Sequence, residues 1–393
     1  MKKLLIATAA MAVVAGAQAQ SSVTIYGSID TGYSSVESKA TTIATGVSTK
    51  TTNSGIAQSS DVSSRWGFKG TEDLGGGLKA NFNVETSIGA GSNGALNSNT
   101  DATGAWTHST NVGNRAMWAG ISTAGGLEVR GGLQNQFIRD VATGYNSNGT
   151  TNVVGDLLAG NSSVFANRHN AISATQTLGA VKLGVAMTGK STEVSNKADV
   201  DSGKGYELMA NYAAGNFALG AAYRKVDTSV AAITAAEKAT AYNTAQGLNA
   251  GIFTAADFTA SAASDTETKT TIVGTSYNFG PVKAFASYGK QETKDALNTA
   301  TDTERTVTSV GVNGNVTAAT QLFVTYSTGE TKGATTAVKR DIDGYVLGAR
   351  YSLSKRTTAY AIYGESDVDS GNAAVATTNT KAKQYAVGIN HAF

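Results

Sequence analysis

The chain has no cysteine, one proline and three histidines in 393 residues, and beyond its N-terminus no apolar run approaches the length of a spanning helix. Each scarcity excludes something. Without cysteine there is no disulfide framework and no thiolate metal site. Three histidines argue against a catalytic or metal cluster, and a formal charge of +2 leaves no basic footprint for a nucleic acid. A helical membrane protein would need about 20 consecutive apolar residues per span, so that class is excluded too. What the chain has is 45 glycines, 15 tyrosines and abundant Thr, Ser and Asn, the residues of strands and turns.

The pattern that organises them has a period of two. In the terminal run QYAVGINHAF, Tyr385, Val387, Ile389, His391 and Phe393 share one face, and Gln384, Ala386, Gly388 and Asn390 share the other. An apolar face toward lipid and a small polar face toward water is the alternation of a transmembrane barrel wall. In lipid every backbone polar group must be satisfied internally, so a membrane reading of such strands requires closure. Alternation predicts strands near 23 to 33, 61 to 70, 78 to 87, 113 to 122, 127 to 136, 169 to 176, 181 to 189 and 205 to 213. Eight more fall near 217 to 226, 269 to 279, 283 to 292, 305 to 315, 319 to 328, 342 to 352, 356 to 366 and 382 to 393, making sixteen. The joins alternate between short turns (TEDLGGG, TAGG, TLGA, AAGN, the Gly280-Pro281 turn, SLSKR) and long loops. The expectation is an all-β, 16-stranded antiparallel transmembrane β-barrel with short periplasmic turns and long extracellular loops. Ala-rich stretches within 227 to 268, the longest loop, could hold a short surface helix. Lys2 and Lys3, the apolar run from Leu4 to Val14 and Ala17-Gln18-Ala19 have the form of a cleaved signal peptide, residues 1–19, leaving 20–393 as the barrel.

Five stretches are more specific: SSVTIYGSIDTGY, SRWGFKGTEDLGGGLKANFNVE, NRAMWAGI, YSLSKRTTAYAIY and VGINHAF. In this order they resemble the Gram-negative general porin family, in its beta-proteobacterial branch of neisserial and Comamonas-type porins. The resemblance runs through the whole mature chain. It implies a water-filled outer-membrane channel for small hydrophilic solutes and ions, a homotrimer, a third loop folded inward to narrow the pore, and a ladder of basic residues on the wall opposite. It also implies that Phe393 acts as an assembly signal. Many relatives carry a basic residue just before that Phe, where this chain has Ala392.

Parity sorts the wall without the resemblance. Trp66 and Phe68 take the lipid face, so Arg65 and Lys69 point inward; Leu78, Phe82 and Val84 likewise send Lys79 and Glu85 inward. The same reasoning turns Glu128, Arg130, Lys182, Arg224 and Arg350 to the lumen, with Asp30 and Glu207. A charge near the lipid midplane would cost roughly 2–4 kcal/mol, which enforces this choice. Arg115 shares a face with Met117 and Ile121, so a lumenal position for it requires the rim or a bulge; Lys283 and Arg356 raise the same difficulty. The third loop, between Phe137 and Arg168, carries Arg139, Asp140, Asp156 and Arg168. Its thin acidity beside the basic wall predicts weak anion preference.

Other motifs yield less. Asp199, Asp201 and Gly203, and Asp367, Asp369 and Gly371, open like a calcium loop but lack its twelfth-position Glu, since Ala210 and Thr378 stand there. His108, His169 and His391 lack partners at ligand spacing, and no histidine falls clearly on the lumen face, so neither an enzyme, a cofactor nor a metal is expected. Outward tyrosines (206, 212, 223, 326, 345, 351 and 385) read as interfacial girdles or as trimer contacts. A solute-specific porin with a binding ladder in the lumen is the alternative to general diffusion. The expected partners are a homotrimer, outer-membrane lipid and lipopolysaccharide, and small solutes and ions, with no nucleic acid.

Overall fold

The computed structural model describes residues 22–88, 113–149, 151–158, 164–189, 203–230, 263–334, 339–372 and 376–393, with isolated positions between 234 and 256. The proposed signal peptide, Asp199, Asp201 and His108 lie outside the described residues.

One antiparallel sheet closes on itself. Its strands are β1 (Ser22–Thr42), β2 (Ser48–Gln58), β3 (Arg65–Gly75), β4 (Leu78–Ser87), β5 (Ala116–Thr123), β6 (Leu127–Asn135), β7 (Arg168–Leu178), β8 (Val181–Thr188) and β9 (Lys204–Ala214). The circuit continues through β10 (Phe217–Val230), β11 (Ser264–Asn278), β12 (Val282–Asp295), β13 (Thr303–Asn315), β14 (Thr320–Gly333), β15 (Lys339–Ser352), β16 (Thr357–Gly371) and β17 (Ala376–Ala392). β2 and β3 both pair with β1, end to end, and form one barrel position, so the wall has sixteen strands. Closure runs from Ser28 opposite Ala392 to Thr42 opposite Thr378, leaving no strand edge in lipid. Phe393 completes it: its backbone exchanges hydrogen bonds of 3.0 and 3.1 Å with Gly27.

Two expectations need correction. Strand 2 does not start near residue 61; it arrives as β2 from 48 and is interrupted over 59–64. Several joins on the long side are extended hairpins, as between β1 and β2, where only residues 43–47 turn. Alternating apolarity marks a strand only where one face meets lipid. These extensions, rich in Thr, Ser and Lys, stand in water and carry no such mark. In the longest loop residues 235–237 are helical, opened by a capping box in which Thr234 N–H donates to Glu237 (2.7 Å) and Glu237 N–H donates to Thr234 Oγ1 (3.2 Å).

The outer face follows parity. Tyr385 and Val387 are 59 % and 53 % exposed, whereas Ala386 between them is 1 % exposed. Aromatic pairs sit at two levels, Tyr345–Tyr363–Tyr385 and Tyr206–Tyr223 toward the long loops, Tyr212–Phe217 and Tyr277–Phe279 beside the short turns. Beyond the first level the outward face becomes ionic, with pairs such as Lys225–Glu267 (2.6 Å), Lys290–Glu304 (3.0 Å) and Lys381–Asp367 (2.8 Å).

Candidate functional site

The described residues of the third loop, 136–149, 151–158 and 164–167, lie inside the barrel and divide its lumen. The loop begins with helix α1 (Phe137–Gly144), whose Phe137, Ile138, Val141 and Ala142 are buried. That spacing makes one apolar face. It packs on inward residues of the wall, among them Met209, Ala222 and Ile272. The opposite face carries Arg139, Asp140 and Thr143 into open space.

No side chain of the helix's own N-terminus caps it; the wall does. Glu207, on β9 and fully buried, accepts the Phe137 N–H at 2.6 Å. A carboxylate at a helix N-terminus satisfies an orphan donor and meets the positive end of the dipole. Arg224 Nε lies 3.0 Å and His169 Nδ1 3.2 Å from the other carboxylate oxygen. His169 therefore does sit on the lumen face, contrary to the sequence expectation, but it is covered by the loop.

The far arm of the loop is held mostly through its backbone. Ser287 donates to Tyr145 O (2.9 Å), Asn313 to Ser147 O (2.8 Å) and Arg350 Nη2 to Asn148 O (2.8 Å). Val154 N–H donates to Gln384 Oε1 (3.0 Å). Residues 59–64, which break the second barrel position, turn inward to meet this arm: Asn152 N–H donates to Ser60 O (3.0 Å) and its amide to Ser59 O (2.6 Å). Asp30, fully buried, fixes that inward turn by accepting the N–H groups of Ser60, Asp61 and Val62 and the Tyr360 hydroxyl (2.7 Å). Arg350 clamps Asp61 with both Nη2 (2.6 Å) and Nε (3.0 Å).

A cavity of about 560 Å³ lies open between the loop and the wall of β3 to β9. Arg65, Glu85, Glu128, Arg130, Lys182, Arg168 and Asp140 line it, as does Arg115. Glu85 is held by Arg115 (2.6 Å), Arg65 (3.6 Å) and the Tyr26 hydroxyl (3.0 Å); Arg130 pairs with Glu128 (2.8 Å) and lies over the Trp118 ring at 4.1 Å. Arg139 donates to Ala166 O. Among the described residues no carboxylate forms an ion pair with Arg139, Arg168 or Lys182. The protein around the lumen pushes the Asp140 carboxyl above the ordinary aspartate range, while its side chain remains open to the cavity and accepts from Asn135 (3.0 Å).

The other candidate residues fall elsewhere. Lys69 (over Tyr26) and Lys79 are on the lumenal face but outside this cavity. Arg224 and Arg350 face inward yet serve the loop's seat. Asp156 is buried, accepting from Asn146 and from Leu158 N–H, and does not reach the cavity. Arg115 was obscured by parity because it precedes β5 and turns inward before the strand alternation begins. The seat had a signal that parity left unused: one inward position on each of β10, β11, β14 and β15 is a buried apolar residue (Ala222, Ile272, Phe323, Val346) among polar ones such as Thr270, Thr325 and Ser327. Apolar side chains on the inner face of a barrel wall have something covering them.

A closed barrel of this size, with an ionic bore and an apolar outer band, is the architecture of a transmembrane pore. A profile described as Gram-negative porin matches residues 7–372. Outer membrane porin protein 32 of Delftia acidovorans is 44 % identical over 88 residues, covering 22 % of this chain and 23 % of that protein. An outer membrane porin protein of Bordetella pertussis is 43 % identical over 97 residues, covering 23 % and 25 %. These alignments span about a quarter of the curated relatives' length. Among solved structures, an anion-selective porin from Comamonas acidovorans superposes with TM-score 0.65 at 22 % identity, covering 95 % of this chain and all of that one. A trimer form of OmpT from Vibrio cholerae superposes with TM-score 0.58 at 16 % identity, covering 94 % and 99 %. The chain belongs to the Gram-negative porin family and is a β-barrel protein of the outer membrane.

Proposed function

We propose that this porin is a general diffusion channel, a homotrimer of water-filled barrels passing small hydrophilic solutes and ions and preferring anions, with no catalytic cycle. The observation that carries this is the lining of the bore: six cationic side chains (Arg65, Arg115, Arg130, Arg139, Arg168 and Lys182) against Glu85, Glu128 and Asp140. Charge on a wet wall selects ions by sign, and an excess of cations admits anions. The anion selectivity named for the Comamonas structure agrees with it, and the trimer form of the Vibrio protein agrees with the assembly. Among the described residues lining this cavity the aromatics are Trp118, covered by Arg130, and Phe137, seated on the wall, which favours general diffusion over a ladder for one particular solute. Purified protein in a planar bilayer under a salt gradient tests the reading. Stepwise conductance in groups of three, with a reversal potential on the anion side, is expected; a cation-side potential would refute the selectivity, and no conductance the channel.

The outward ion pairs beyond the aromatic level supply the same reading with its outer-leaflet partner. Outward lysines beyond the aromatic level, such as Lys225, Lys290 and Lys381, are suited by charge to the phosphates of lipopolysaccharide.

A further inference from the structure

The loop that narrows the bore crosses β15 and β16 where the wall has no side chain. A Cβ built on Gly344 would lie 2.5 Å from Gly155 O and 2.8 Å from Gly155 Cα; one on Gly364 would lie 2.0 Å from Val154 O. The contact is therefore backbone on backbone, and neither partner has a flexible side chain that could swing aside. On the loop side Gly155 has φ +94° and equally little room, since its own Cβ would meet Tyr345 O at 2.4 Å and Glu365 O at 2.5 Å. The Val154 N–H to Gln384 hydrogen bond pins the arm at that spot, and Val153 beside it is buried with Val346 and Ile362. Two residues before this seat, Asn152 lines the bore and ties the arm to Ser59 and Ser60, next to Ser63 and Arg65 on the bore's rim.

We propose that Gly344 and Gly364 are positioning residues that set the width of the bore by the depth at which the loop's arm seats on the wall. They touch no permeating ion. The arm lies between β15–β16 on one side and the bore on the other, so any atom added at these glycines moves the arm toward Arg65 and narrows the passage. Close-packed contacts of this kind transmit a displacement because no void absorbs it. The cationic residues of the bore stand on β3, β6, β7 and β8, on α1 and, for Arg115, just before β5, so the sign of selectivity is set independently of this seat.

The inference rests on the channel reading, and native protein measured in the same bilayer separates the two: if it does not conduct, the reading itself has failed. With native conductance established, Gly344→Val and Gly364→Val are expected to lower single-channel conductance to roughly half while the reversal potential keeps its sign. Gly344→Ala, with a single methyl, should give a smaller fall in the same direction and covers the case in which a valine variant does not fold. Gly131→Val is the control: it lies in β6 beside outward residues, nothing stands within 4 Å of its added Cβ, and conductance should stay native. Native conductance in folded Gly344→Ala and Gly364→Val trimers would overturn the proposal. A reversal potential that changes sign in either would overturn the claim that seat and selectivity are separate.

Discussion

The inner wall of this barrel is two surfaces. From β3 to β8 most inward positions that line the cavity carry arginine, lysine, glutamate or small polar residues, while His169, Ala171 and Ala186 of β7 and β8 already lie under the loop. From β9 to β16 many carry Met, Ala, Ile, Val and Phe, and they face the third loop. Both arcs obey the same outward rule, because both meet lipid. The difference lies in what covers the inside, and it shows that inward is not the same as pore-lining: Arg224 and Arg350 point into the barrel as surely as Arg130 does, yet they hold the loop.

The sharpest break in that comparison is at Glu207. Replacing it by leucine removes the acceptor for the Phe137 N–H and leaves Arg224 buried without its partner, a change expected to cost about 3–5 kcal/mol. Chemical denaturation of the folded barrel reads the loss, and bilayer recordings should show unsteady current as α1 leaves its seat. A full-stability variant with quiet current would mean the seat does not depend on this anchor. Next is Ile272→Ala, which empties part of the apolar seat while leaving the bore's charges in place, at about 2–5 kcal/mol. Its reversal potential should match the native one.

The bore arc is tested through charge, with smaller effects on stability. Arg168→Gln removes a cation that has no carboxylate partner among the described residues, so stability should shift by no more than about 0.5 kcal/mol. The reversal potential should move toward zero; an unchanged value would reduce Arg168 to a solvated side chain. Asp140 gives a pH handle. Its carboxyl is held above the ordinary aspartate range by the protein around it, so it gains its proton earlier as pH falls, and the bore loses a negative charge. Anion preference should therefore rise on acidification through that range, and Asp140→Asn should abolish this part of the rise. Smallest of all is Lys290→Ala on the outer belt, where the exposed pairs with Glu292 and Glu304 are screened by solvent, so denaturation should be scarcely changed and conductance should stay native.

How much of this was legible in advance depends on the solvent each face meets. Lipid tolerates no exposed charge or open edge, so Trp66, Phe68, Val387 and Phe393 declare their side, and Arg65, Glu85 and Arg130 follow by alternation. Above the membrane that constraint vanishes, which is why the extension of β1 to Thr42 and the arrival of β2 went unread. Arg115 was ambiguous for a related reason, since it stands one residue outside its strand, where parity has no force. Asp156 was misplaced because a loop has no period from which to tell its buried side from its wet side.

By itself, the sequence determined the barrel, its strand number, its closing strand and most of the residues that face inward, His169 and Arg115 excepted, because period two against lipid leaves one arrangement that satisfies the backbone. Only the tertiary structure decided which inward residues meet water. That depends on where a loop of thirty-odd residues lies down. Its resting place is fixed by contacts between positions far apart in the chain, such as Phe137 with Glu207, Asn148 with Arg350 and Gly155 with Gly344, which no local pattern encodes.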